Sequence, residues 1–183
     1  MMPGGHLATS LVLGSAVYAS TRSVGLAAGC VAGGFFIDFD HYLDYIVFER
    51  EWRRPSPASF LRYYFTHQPK LLVLPLHSFE LMSVLIAFAI VRPNPLLIGY
   101  IVGAAMHLFF DVIVNGDFAL KHKVLFYSFA YRATKRFAAH ELLDVPSVDE
   151  TESAHPFREF FTWIPRDTKS DAEVEDVRRQ DVV

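Results

Sequence analysis

Residues 95–114 read PLLIGYIVGAAMHLFFDVIV, a run whose ionisable side chains are His107 and Asp111 alone. A bilayer's hydrocarbon core is about 30 Å thick and takes roughly 20 helical residues, so this run has the length to cross one. His107 and Asp111 are four apart and therefore share one helix face. Ionisable groups in hydrocarbon cost at least roughly 2.5 kcal/mol each on insertion scales, and they mark functional positions by default.

Three more apolar runs precede it. Leu7–Ser20 ends near Arg22, and Val24–Ile37 ends at Asp38; both are rich in Gly, Ala and Ser, which let helices approach closely. Each is short for a span and must borrow flanking residues. Leu71–Val91 has full spanning length and carries His77 and Glu80. Arg22-Ser23 reads as a turn, and Arg92-Pro93-Asn94-Pro95 as a break, since proline removes a helix donor and restricts its predecessor. The expectation is an all-α protein: a four-helix transmembrane bundle over residues 1–117. Residues 49–70 read as a polar loop with one interfacial helix. Residues 118–164 form a basic, aromatic, partly helical cytoplasmic segment. Within it Lys121, Lys123, Arg132, Lys135 and Arg136 interleave with Phe126, Tyr127, Phe129, Tyr131 and Phe137, as in a helix lying on a membrane surface. A soluble helix packed on the loop fits that composition equally well. Residues 165–183 read as a disordered charged tail.

Composition narrows the function classes. The chain has 183 residues, enough for one domain plus a tail; 52% are hydrophobic and 15% aromatic, apolar for a soluble domain. A net charge of -3 gives no reason to expect nucleic acid as a partner. The single cysteine, Cys30, excludes an intramolecular disulfide and a thiolate clamp, and its Ala, Val and Gly neighbours make it a packing residue. The N-terminus lacks the basic start of a secretory signal, so its apolar run is expected to stay. Arg50, Arg53, Arg54, Arg62 and Lys70 follow the second run, and five basic residues follow the fourth, against Arg22 and Arg92 alone in the other turns. The positive-inside rule then predicts a multi-pass protein of the cytoplasmic (inner) membrane with both termini cytoplasmic and the lipid bilayer as partner. It fixes no oligomeric state.

That topology, set by Lys and Arg alone, brings the other ionisable groups to one side. His6 starts the first helix; Asp38, Asp40 and His41 end the second; His77 and Glu80 lie about two turns into the third; His107 and Asp111 approach the end of the fourth. Seven or eight such groups at similar depth need counter-charge, which one or two divalent metal ions supply. Imidazole plus carboxylate suits zinc, manganese or iron. The candidates exceed one tetrahedral zinc, so the site is dinuclear or some residues orient the others. A bound metal lowers the pKa of a water toward neutrality, and a carboxylate that is not a ligand, Glu80, is the expected general base. His67, His122, His140 and His155 read as surface residues.

Met2-Pro3-Gly4-Gly5-His6, Asp38-Phe39-Asp40-His41, His77-Ser78 and His107-Leu108-Phe109-Phe110-Asp111 together resemble the YdjM-like membrane-bound metal-dependent hydrolases, over roughly residues 1 to 115. The chain departs from that pattern in two places. Leu72-Val73-Leu74 stands where the family has a His-Arg-Gly lead-in, and Ile37 rather than proline precedes Asp38. The resemblance implies hydrolase activity at a site of His6, Asp38, Asp40, His41, His77, His107 and Asp111, with Glu80 compensating for the missing histidine. A looser similarity to zinc-dependent phospholipase C implies a lipid or other phosphoester substrate. Three other readings use the same residues: a non-catalytic metal-binding or transport protein, a structural cluster that locks helix packing, and a soluble helical metalloenzyme. Crowding of the groups at one side disfavours transport, and the absence of Lys or Arg at that depth disfavours a purely structural cluster.

Overall fold

A computed structural model describes residues 3–53, 55–66, 69–114 and 120–144 of the chain. The described residues are helical, with no strand among them and two isolated bridges, Leu71 with Ala138 and Leu120 with Leu143. The long helices are α1 (Pro3–Thr21), α2 (Val24–Phe35), α5 (Phe79–Val91) and α6 (Pro95–Val114). A 3-10 turn (Phe36–Asp38) leads from α2 into α3 (Phe39–Val47), and α4 (Pro57–Thr66) follows. One described helix, α6, is long and apolar enough to cross a membrane.

Local chemistry sets the boundaries. Arg22 at φ 56° turns the chain, and Ser23 caps α2 by accepting from the Leu26 N–H at 3.2 Å. Asn94 Oδ1 accepts from the Leu96 N–H at 2.9 Å, with Pro95 at the first helical position of α6, where its missing N–H is harmless. The third apolar run is not one helix. Leu71–Ser78 is a non-helical strap containing Pro75, and α5 begins only after Ser78, whose Oγ accepts from the Leu81 N–H at 3.2 Å. That leaves 13 helical residues, about 20 Å at 1.5 Å per residue.

Packing places both C-terminal ends of α2 and α6 together. The two helices run parallel along a seam of Gly29 and Gly33 against Gly99 and Gly103. A Cβ at these positions would run into the carbonyl oxygens of Leu96, Tyr100, Leu26 and Cys30 respectively. Glycine is needed here for backbone approach. α1 returns antiparallel on α2, with Gly14 against Ala27 and Val31 and with Ser10 against Gly34. The start of α1, the ends of α2 and α6 and the start of α5 therefore meet at one end.

The core also lies at that end. Ile37, Leu72, Leu74, Ala104 and Leu108 pack with Phe126, Tyr127, Ala139 and Leu142 of the C-terminal segment. Among its described residues, 120–144, no single helix runs through, contrary to the expected interfacial one. It forms a 3-10 turn (Leu125–Tyr127), α7 (Phe129–Thr134) and α8 (Ala139–Leu142), because Arg136 and Phe137, at φ 54° and 58°, break the helical path. The expected tail, 165–183, lies outside the described residues.

Candidate metal centre

Five elements deliver the predicted side chains to one buried cluster. α1 brings His6, the 3-10 turn brings Asp38, the strap brings His77, and α6 brings His107 and Asp111 one helical turn apart. α3 adds Asp40 and His41. His6, Asp40, His77 and His107 are fully buried. The members that reach the surface are Asp38, 22% exposed, and His41, 18% exposed.

Four donor atoms converge. His77 Nε2 and His107 Nε2 stand 3.1 Å apart. Asp38 Oδ1 lies 3.4 Å from the first and 3.3 Å from the second, while Asp111 Oδ2 lies 3.8 and 3.2 Å from them. Ligands held at about 2.0–2.1 Å by a tetrahedral zinc stand roughly 3.3–3.4 Å from one another. The five separations above scatter around that spacing, so these His and Asp side chains could hold such an ion.

The other ring nitrogens decide the tautomers. His107 Nδ1 is 2.8 Å from the Gly34 carbonyl oxygen, which only accepts, so this nitrogen carries a proton. His77 Nδ1 donates likewise to Asp40, at 3.0 and 3.1 Å from its two oxygens. Both Nε2 atoms therefore present lone pairs to each other and to two carboxylates unless protons or a cation intervene. Protonating both would set two N–H groups head-on at 3.1 Å. A divalent cation satisfies all four atoms together, and a histidine ligand with its second nitrogen on a carboxylate or carbonyl is the usual arrangement. Burial works to lower the His77 imidazole, yet the Asp40 and Asp38 carboxylates outweigh it and raise it to about 10. Burial works to raise Asp38, yet His107 and His77 hold it well below the usual carboxylate range. Without a metal, the cluster thus keeps its carboxylates ionised and stores protons on imidazole.

The remaining members surround these four, and His6 with His107 and Asp111, and His41 with Asp38 and His77, also form groups whose ligand atoms lie within 4.8 Å of one another. Asp40 spends its carboxylate on His77 Nδ1 and on the N–H groups of Leu76 and His77, at 3.0 and 3.2 Å. It holds the ring and the strap instead of facing the donor quartet. His6 Nε2 lies 2.9 Å from Asp111 Oδ1, and its ring stacks on His107 at 3.6 Å between centroids. His41 Nε2 lies 3.8 Å from Asp38 Oδ1 at the mouth.

Glu80, expected as the general base, lies elsewhere. Its oxygens accept from Ser128 Oγ at 2.7 Å and from the N–H groups of Phe129 and Ala130 at 2.8 and 3.1 Å, so it caps α7. Glu80 and His77 would share a helix face only if one helix ran through both, and Ser78 starts α5 between them.

Two residues that the sequence does not place at the site support the strap. Asp44, one turn beyond Asp40 on α3, accepts from Val73 N–H at 2.7 Å and Leu74 N–H at 3.2 Å. Burial nonetheless raises its carboxyl to about 6. The i, i+4 spacing of Asp40 and Asp44 was the available signal. Arg132, expected on a basic surface, is fully buried, and nothing in its local sequence distinguishes it from Lys135 or Arg136. His122 and His140 are exposed and apart from the cluster; His67 and His155 lie outside the described residues. No family model, curated protein or solved structure matches the chain.

Proposed function

We propose that the chain is a metal-dependent hydrolase of the cytoplasmic membrane, acting on a lipid or other phosphoester. The observation that carries the metal reading is the quartet of His77 Nε2, His107 Nε2, Asp38 Oδ1 and Asp111 Oδ2: the two imidazole nitrogens stand 3.1 Å apart, and each carboxylate oxygen lies 3.2 to 3.8 Å from both. Zinc, manganese or iron accept such donors, and zinc suits a four-donor set best. His6 and Asp40 orient Asp111 and His77. A bound divalent ion supplies Lewis acidity and lowers the pKa of a water toward neutrality. His41, partly exposed beside Asp38, handles the proton in place of Glu80.

The multi-pass reading draws support from what the chain leaves uncovered; the placement of both termini in the cytoplasm rests on the Lys and Arg distribution alone. Along α5, Val84, Ile86, Phe88, Ile90 and Val91 are exposed, and Met82 is its buried residue. α3 turns Asp40 and Asp44 inward and Phe39, Leu43 and Val47 outward, the reverse of a water-facing helix. Large apolar patches of this kind mark a membrane or partner surface. α1, at 19 residues, reaches roughly 28 Å.

A non-catalytic metal-binding protein is the second reading. Four protein donors on one ion would fill a tetrahedron, whereas catalytic zinc keeps an open position. Metal analysis of detergent-purified wild type, Asp40→Ala and His107→Ala tests the site. Metal in the wild type and its loss in both variants is expected; no metal in the wild type sinks the proposal. Metal-loaded wild type that turns over neither phospholipid nor simple phosphoesters transfers the weight to the binding reading.

A further inference from the structure

We infer that Arg132 is a positioning residue for the metal centre, holding the strap that presents His77 from the side opposite Asp40. This rests on the metal-site reading above. Arg132 donates from one terminal nitrogen to the carbonyl oxygens of His77 at 3.0 Å and Phe126 at 2.8 Å, and from the other to Leu74 at 2.8 Å. Burying a guanidinium is costly unless its donors are satisfied. Here the two terminal nitrogens are spent on backbone carbonyls, two of them in the strap, while Nε is buried without a hydrogen-bond partner.

Opposite charges grip the strap's two kinds of backbone group. Asp44 takes the N–H groups of Val73 and Leu74, Asp40 takes those of Leu76 and His77, and Arg132 takes the carbonyls of Leu74 and His77. Leu74 sits at φ 42°, a left-handed conformation unfavourable for a side-chain-bearing residue, and it is held at both its N–H and its carbonyl. The C-terminal segment also ties the strap's start, through Leu72 N–H to Phe137 O at 2.8 Å and Ala139 N–H to Lys70 O at 2.9 Å. A segment that contributes no donor atom to the quartet thereby fixes one of its four members. Lysine keeps the charge but lacks the planar fork that reaches three carbonyls.

The test uses the full chain in detergent micelles, stripped by chelator and titrated with zinc alone against a chromophoric competitor. Arg132→Met and Arg132→Lys are each made with His77 present and with His77→Ala. Support orienting a metal-bound histidine is worth 10–100-fold in affinity, so zinc binding is expected to weaken about 10–100-fold when His77 is present. With His77 absent, the same substitutions should change it by no more than about twofold. Equal weakening in both backgrounds makes Arg132 a general structural residue and overturns the inference. If the wild type takes up no zinc, the metal reading fails on its own. Histidine ¹⁵N–¹H spectra of the metal-free protein then decide: the Nδ1 proton of His77 bonded to Asp40 should be visible in the wild type and lost in both variants, and an unchanged signal overturns the inference. Arg132→Lys carries the comparison if Arg132→Met exposes the buried Cys30 thiol at rest.

Discussion

His77 and His107 come from a non-helical strap and a helix thirty residues apart, and they meet with their Nε2 atoms 3.1 Å apart, each ring's Nδ1–H already donating to another acceptor. Such a pair is stable only with something positive between or beside it, and the identity of that charge depends on pH.

Zinc must therefore displace a proton from His77. Its imidazole is raised from 6.5 to about 10, so the proton it gains on folding stabilises the metal-free protein fully below about pH 6.5, and this contribution is lost as pH rises through about 10. Zinc affinity should run the other way, tightening about tenfold per pH unit for each proton released in that window. Competition titrations between pH 6 and 9 check this; a flat profile would mean that His77 is not a ligand.

Asp40→Asn keeps an acceptor for the Leu76 and His77 N–H groups but removes the anion behind His77 Nδ1. Zinc affinity should fall by about 10–100-fold, with the helices intact by circular dichroism. Unchanged affinity would show that Asp40 does not act on the ring.

Glu80→Ala should separate the two roles considered for Glu80. Removing its three hydrogen bonds to the start of α7 costs about 1 kcal/mol, typical of a lost helix cap. Thermal exposure of Cys30 to a thiol-reactive dye, this chain's single buried thiol, reads that loss. Zinc affinity should stay within about twofold, as for a site with no shared partner; a larger loss would return Glu80 to the metal centre.

Gly99→Ala places a methyl against the Leu26 carbonyl oxygen, where backbone must yield, and overpacking of this kind costs about 1–3 kcal/mol. Gly25→Ala is the control, because its Cβ meets Pro95 at an ordinary 3.5 Å. The first should lower the temperature of Cys30 exposure and weaken zinc binding through the Gly34–His107 contact. The second should change neither, and equal effects would discount the glycine seam.

The sequence by itself determined the helical class, the breaks at Arg22-Ser23 and before Pro95, and the gathering of His6, Asp38, His77, His107 and Asp111 at one end. These follow from local rules: apolar run length, capping residues, proline, and side-chain spacing on one helix. Tertiary structure alone decided what each residue touches. Ser78 started α5 after His77, which separated Glu80 from the imidazole and left it to cap α7. Asp40 faced the back of the His77 ring, a relation between α3 and a strap more than thirty residues later that no spacing rule contains. Arg132, counted as surface charge, was buried by the carbonyls that a distant strap turned toward it. Local geometry fixes which residues share a helix face; which partner satisfies a buried charge is settled only when remote segments compete for it.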